Sequence, residues 1–114
     1  MRKTKSAAAL VLLLALCLSL AACTVAKEDV AGTWTGSWTY NGNSFVEAIV
    51  LTKEGKYASA VYKNGEHYKT ESGTYEISGT EVLLHPNGDK GQATPYKYKS
   101  GKLVNNGHEF TKKS

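Results

Sequence analysis

The sequence predicts an all-β fold, a small eight-stranded antiparallel up-and-down barrel after an N-terminal signal peptide. Three observations lead there. The stretch Gly32-Thr33-Trp34-Thr35-Gly36-Ser37-Trp38-Thr39-Tyr40 alternates aromatic or glycine with small hydroxyls, so Trp34, Gly36, Trp38 and Tyr40 share one face of a strand. Beyond it, glycine turns separate short segments rich in Val, Ile, Thr, Tyr and Phe, the pattern of successive hairpins. The register those turns impose keeps one face apolar or aromatic through most of the chain. No segment has helical periodicity long enough to compete.

Taken in order, the chain opens on an export signal. Arg2, Lys3 and Lys5 form a positive n-region, residues 7–20 are almost wholly apolar, and Ala21 and Ala22 are small. This is the anatomy of a secretory signal peptide, with an apolar core short for a transmembrane helix, which needs about 20 residues. Leu20-Ala21-Ala22-Cys23 resembles the lipobox of bacterial lipoproteins. That resemblance implies cleavage just before Cys23 and a Cys23 thiol acylated with diacylglycerol, a lipid anchor of the palmitate kind. An uncleaved membrane anchor with a chance cysteine is the alternative. The chain then divides into a signal peptide 1–22, a lipidated tether 23–29 and a barrel domain 30–114. Its expected place is the outer face of a bacterial membrane. The tether, about 20 Å when extended, holds the domain near that surface.

Cys17 lies in the removed segment and Cys23 carries the lipid, so no disulfide is available and stability must come from packing. Three of the 14 basic residues lie in the n-region, which leaves 11 lysines against 10 acidic residues, a mature net charge of +1. The basicity belongs to the leader. No basic run survives cleavage, which argues against nucleic acid as a partner. Removing 22 of 114 residues leaves 92, enough for one domain with a modest core.

The barrel elements follow from the turns. A two-residue loop at Asn41-Gly42 sets Trp38 opposite Phe45, Gly36 opposite Glu47 and Trp34 opposite Ile49. A three-residue loop at Lys53-Glu54-Gly55 sets Leu51 opposite Tyr57 and Ile49 opposite Ser59. Asn64-Gly65 then pairs Val61 with Tyr68 and Lys63 with Glu66. A bulge at Gly73 is expected to shift the phase and turn Tyr75 and Ile77 inward. Ser78-Gly79 as a loop sets Tyr75 against Val82. After a longer loop over 86–91, Ser100-Gly101 pairs Tyr98 with Leu103, and Asn106-Gly107 pairs Leu103 with Phe110. Closing the last strand, His108 to Lys112, onto the first removes two free edges and covers the aromatic face. A two-sheet sandwich is the alternative.

Gly32-Thr33-Trp34 on the first strand resembles the G-x-W motif of lipocalin-like barrels, and Gly55-Lys56-Tyr57 and Gly73-Thr74-Tyr75 resemble units of small bacterial lipocalin-like lipoproteins. The resemblance spans 30–113. It implies that Trp34 packs at the closed end of the barrel beneath a basic side chain from the last strand, for which Lys112, in phase with Phe110, is the matching position. The chain is much shorter than a typical lipocalin, which argues against a deep lipid-binding calyx.

Glu47 is the informative polar residue. The register puts it inside, opposite Gly36, where a carboxylate needs a partner such as a tyrosine hydroxyl or Lys112. Read functionally, Glu47 is a ligand's polar contact beside space that Gly36 leaves open; otherwise it is a rim residue that reaches solvent. Trp38, Tyr40, Phe45 and Glu47 are the ligand-binding candidates, and the seven tyrosines are mostly strand packing. His67, His85 and His108 fall on different strands without metal-ligand spacing, and Asn87-Gly88-Asp89-Lys90-Gly91 reads as a turn, so no metal or cofactor is expected. No nucleophile elbow, phosphate loop or carboxylate pair placed together by the register is recognised, so a binding protein is expected rather than an enzyme. The leading expectation is a binding lipoprotein for a small, partly apolar ligand. The alternative is an inhibitor module that plugs a hydrolase such as lysozyme, with loop 86–91 as its contact.

Overall fold

Nine residues, Gly32–Tyr40, form β1 of the computed structural model, which describes residues 25–113. The segment 1–22 expected to be a signal peptide, and Cys23, lie outside the described residues. One helical turn, α1 (Lys27–Val30), precedes β1. The strands that follow are β2 (Asn43–Leu51), β3 (Lys56–Lys63), β4 (Glu66–Ser78) and β5 (Glu81–Pro86). Then come β6 (Thr94–Lys99), β7 (Lys102–Asn105) and β8 (His108–Lys112). Each pairs antiparallel with its neighbour in sequence, and β8 pairs with β1, so the sheet is a closed up-and-down barrel. Closure rests on Trp34 opposite Lys112, Thr35 opposite Thr111, and the Lys113 N–H donating to the Thr33 carbonyl at 2.7 Å. The sandwich alternative is excluded.

Turn chemistry accounts for most of the register. In Asn41-Gly42, Asn64-Gly65, Ser100-Gly101 and Asn106-Gly107 both residues have positive φ, the type I′ geometry whose twist matches the flanking strands. Trp38 faces Phe45, Glu47 faces Gly36, Leu51 faces Tyr57, Tyr98 faces Leu103 and Leu103 faces Phe110, as the sequence predicts.

Two stretches differ. The phase shift expected at Gly73 occurs earlier, where Tyr62 pairs with His67 but Val61 pairs with Lys69, leaving Tyr68 as the extra residue. Val61 therefore does not face Tyr68. Gly73 remains in register opposite Tyr57, and its glycine serves a close approach: a Cβ there would sit 2.1 Å from the His85 carbonyl oxygen. The second difference is at the β4–β5 turn. The loop is Gly79-Thr80, so Val82 faces Ile77, and Tyr75 faces Leu84 rather than Val82. Glycine comes first in this loop, which moves the register by two residues and leaves every inward side chain inward. Tyr75 is buried and Ile77 packs against the core.

Residues 25–30, most of them in the stretch expected to be a tether, pack against the barrel. Val25 and Val30 are buried, the Val25 N–H donates to the Gly79 carbonyl at 3.0 Å, and α1 lies across one end of the barrel. That end is filled by Trp34, Leu51, Val82 and Leu103 beneath Val30, all at most 2% exposed. Burying each such side chain contributes roughly 1.5–3 kcal/mol. Trp34 donates its indole N–H to the Val30 carbonyl at 2.8 Å, and Lys112 Nζ stands 5.9 Å from the ring centroid, the arrangement the lipocalin-like resemblance implies. Trp34 and Phe110 are both buried, but their aromatic neighbours differ: Tyr98 for Trp34, Trp38 and Tyr96 for Phe110. The opposite end, ringed by the β1–β2, β3–β4 and β7–β8 hairpins and the β5–β6 connection, is the mouth.

Candidate functional site

The mouth holds a cavity of about 240 Å³. Its apolar wall is Trp38, Phe45, Val61, Tyr68 and Tyr96, and its polar wall includes Glu47, Ser59, Lys69 and Glu71. Alternation along β1 and β2 delivers the first candidates together: Trp38 and Phe45 are cross-strand partners, stacked at 5.6 Å with 12° between planes. Phe45 meets Tyr68 edge-on at 5.9 Å, and His108 stacks on Trp38 at 4.8 Å. Three of the four sequence candidates, Trp38, Phe45 and Glu47, thus line one cavity. Tyr40 does not. It shares their face, but β1 has run past the barrel wall by Tyr40, which is 65% exposed at the hairpin tip.

Two expectations about Glu47 are corrected. The space opposite it at Gly36 is taken by Phe110, whose ring carbon would lie 2.8 Å from a Cβ on Gly36, as would the Glu109 carbonyl oxygen. Gly36 therefore admits a core ring and the β8 backbone, not a ligand. Nor is Lys112 the partner of Glu47, since it lies at the closed end over Trp34. Burial instead pushes the Glu47 carboxyl up to about 7, with the Lys69 ammonium opposing that shift and the Glu71 carboxylate adding to it.

Glu71 is the residue that the sequence reading missed. It pairs with Ser59 on β3, points inward and accepts a hydrogen bond from the Tyr57 hydroxyl at 2.9 Å. The register does place two carboxylates together, Glu47 and Glu71, contrary to expectation. Burial raises the Tyr57 and Tyr96 hydroxyls well above the usual phenol value, so both stay protonated donors at neutral pH. Two half-buried carboxylates that line one cavity can hold a cation.

Other features lie outside the barrel. The register gathers Lys97, Lys99 and Lys102 around an outer depression of about 370 Å³, a basic cluster not evident from the sequence, with Lys102 paired to Glu109 at 3.2 Å. The long loop is 87–93, because Pro86 still pairs with Gly73 in the sheet. It folds back over the outer face of β5 and buries His85, whose Nδ1 meets the Gln92 carbonyl and whose Nε2 meets Glu76, both at 2.6 Å. Asp89 turns its carboxylate to the Gly91 N–H at 2.9 Å. Among the described residues no three of His, Cys, Asp and Glu stand close enough to hold a metal ion.

No protein-family model, no curated protein and no solved structure matches this chain, so the reading of the site rests on its own residues and geometry.

Proposed function

We propose that this chain is a lipocalin-like binding lipoprotein, exported, lipidated at Cys23 and held on the outer face of a bacterial membrane, whose barrel mouth takes up a small, partly apolar ligand. The observation that carries the reading is the 240 Å³ cavity that Trp38, Phe45 and Glu47 line together at the open end of the barrel. Drug-sized sites run to roughly 300–1,000 Å³, so the ligand is smaller, on the order of ten non-hydrogen atoms. Its apolar part lies on the Trp38–Phe45 stack and its polar group reaches the carboxylates. The leader and Leu20-Ala21-Ala22-Cys23 support the anchoring. Binding, not catalysis, is the proposed activity. The inhibitor reading has less support, because loop 87–93 is pinned to β5 through His85.

Thermal unfolding with a panel of small aromatic and alkyl compounds tests the binding. A ligand present at 100 times its Kd stabilises by about 2.7 kcal/mol, and Trp38→Ala should abolish the stabilisation. If no compound raises the midpoint while a purified lysozyme does, the inhibitor reading replaces this one. Mass spectrometry of the membrane-extracted chain tests the anchor: the mature N-terminus should be a diacylglyceryl Cys23, and Cys23→Ala should release the protein from the membrane.

A further inference from the structure

Carboxylates outnumber ammonium groups among the side chains that line the cavity; Lys63, beside it, holds its Nζ 5.5 Å over the Tyr68 ring. Glu47 and Glu71 face the cavity, and the one ammonium among its lining residues is that of Lys69. Lys69 is exposed, whereas both glutamates are half-buried. Neither carboxylate is in a salt bridge; the ion pairs among the described residues are His85–Glu76 and Lys102–Glu109. Glu71 has a neutral donor, the Tyr57 hydroxyl. A carboxylate removed from water without a paired charge is costly, and a neutral apolar ligand that closes the mouth would deepen that cost by expelling the remaining water. An anionic ligand would add repulsion from two sides.

A cation reverses every one of these terms. It supplies the missing counter-charge to Glu47 and Glu71. We infer that the mouth selects small organic cations, amines that carry an aromatic or alkyl body, over neutral and anionic molecules of the same shape. This inference rests on the binding function proposed above and narrows it to one ligand class. The ammonium lies between Glu47 and Glu71, and the body lies along the Trp38–Phe45 stack. The groups facing Glu47 are Lys69 and Glu71 from β4, Tyr57 from β3 and Tyr96 from β6. The tyrosines are protonated at neutral pH, so Glu47, Glu71 and Lys69 set the charge that the ligand meets. A Glu47 carboxyl that titrates at about 7 is ionised at pH 8.

The test titrates the full chain, reconstituted in zwitterionic lipid nanodiscs, by calorimetry at pH 8 against empty nanodiscs. The probes share one shape: 2-phenylethylamine, 2-phenylethanol and 3-phenylpropanoate. The amine should bind about fivefold or more tighter than the alcohol, and the acid weakest of the three. Glu71→Gln and Glu47→Gln should each cut the amine's advantage over the alcohol about threefold or more. An advantage below fivefold, or one that survives both substitutions, overturns the cation preference and leaves the binding function standing. Absence of binding by all three probes overturns the binding function itself, and the preference with it.

Discussion

Trp34 is fixed by its indole N–H on the Val30 carbonyl at 2.8 Å, by Tyr98 edge-on at 6.3 Å and by Lys112 above the ring. Trp34→Ala should cost about 3–5 kcal/mol, a large part of a domain stability of about 5–15 kcal/mol, read as the midpoint shift in urea. Trp34→Phe keeps most of the ring but strands a buried carbonyl, so it should cost less, on the order of 1–3 kcal/mol. Trp38 is only half-buried; Trp38→Ala should spare most of the stability and remove the binding. Glu47 makes its contribution through pH. Its carboxyl is raised from 4.5 to about 7, so the folded chain holds this proton more tightly than the unfolded one does. Stability should therefore fall as pH rises from about 4.5 to about 7. Glu47→Gln should flatten that fall by roughly 1–2 kcal/mol, a figure reduced for solvent screening at the open mouth. A denaturation series in pH compares the two chains.

At the scale of elements, a loop pinned to a strand and a glycine crossing explain where the outer face of β5 comes from. Both His85 nitrogens face acceptors, the Gln92 carbonyl and the Glu76 carboxylate, and these raise its pKa above 6.5 against the effect of burial. The stabilisation from this clamp is fully present below pH 6.5 and fades as pH rises through the folded value. Amide exchange across 87–93 should speed up with pH beyond its intrinsic trend, and His85→Phe should remove the excess. Gly73→Ala would push a Cβ into the His85 carbonyl and force β4 and β5 apart, at about 1–3 kcal/mol or more. These details were hidden in the sequence for physical reasons. Asn-Gly and Ser-Gly pairs fix a type I′ loop and with it the pairing; Ser78-Gly79 looks the same, yet Gly79 is the first loop residue there. Lys69-Thr70-Glu71-Ser72 is polar on both faces, so its alternation carries no phase. Placing the bulge at Gly73 rather than Tyr68 turned Lys69 and Glu71 outward on paper and concealed half of the polar wall.

For the whole molecule, the closed barrel was legible because a single hairpin, β1–β2, carries Trp34 and Trp38 at opposite ends of one inward stripe, with Ile49 and Phe45 opposite them. The same stripe names three of the mouth's lining residues. It could not show that Phe110 fills the gap at Gly36, since that contact depends on β8 coming back to β1. The outcome is a barrel with two unlike ends, one sealed by α1 over Trp34 and the other open at Trp38. The chain has two tryptophans, one at each end. The most direct test of a binding mouth is therefore the pair of indole N–H resonances of the nitrogen-15-labelled chain during titration with 2-phenylethylamine. The Trp38 signal should move and saturate, together with the amides of Phe45, Glu47 and Lys69, while the Trp34 signal stays where it is. Movement of Trp34 alone, of neither indole, or only of amides on the outer face would contradict a ligand site at the mouth.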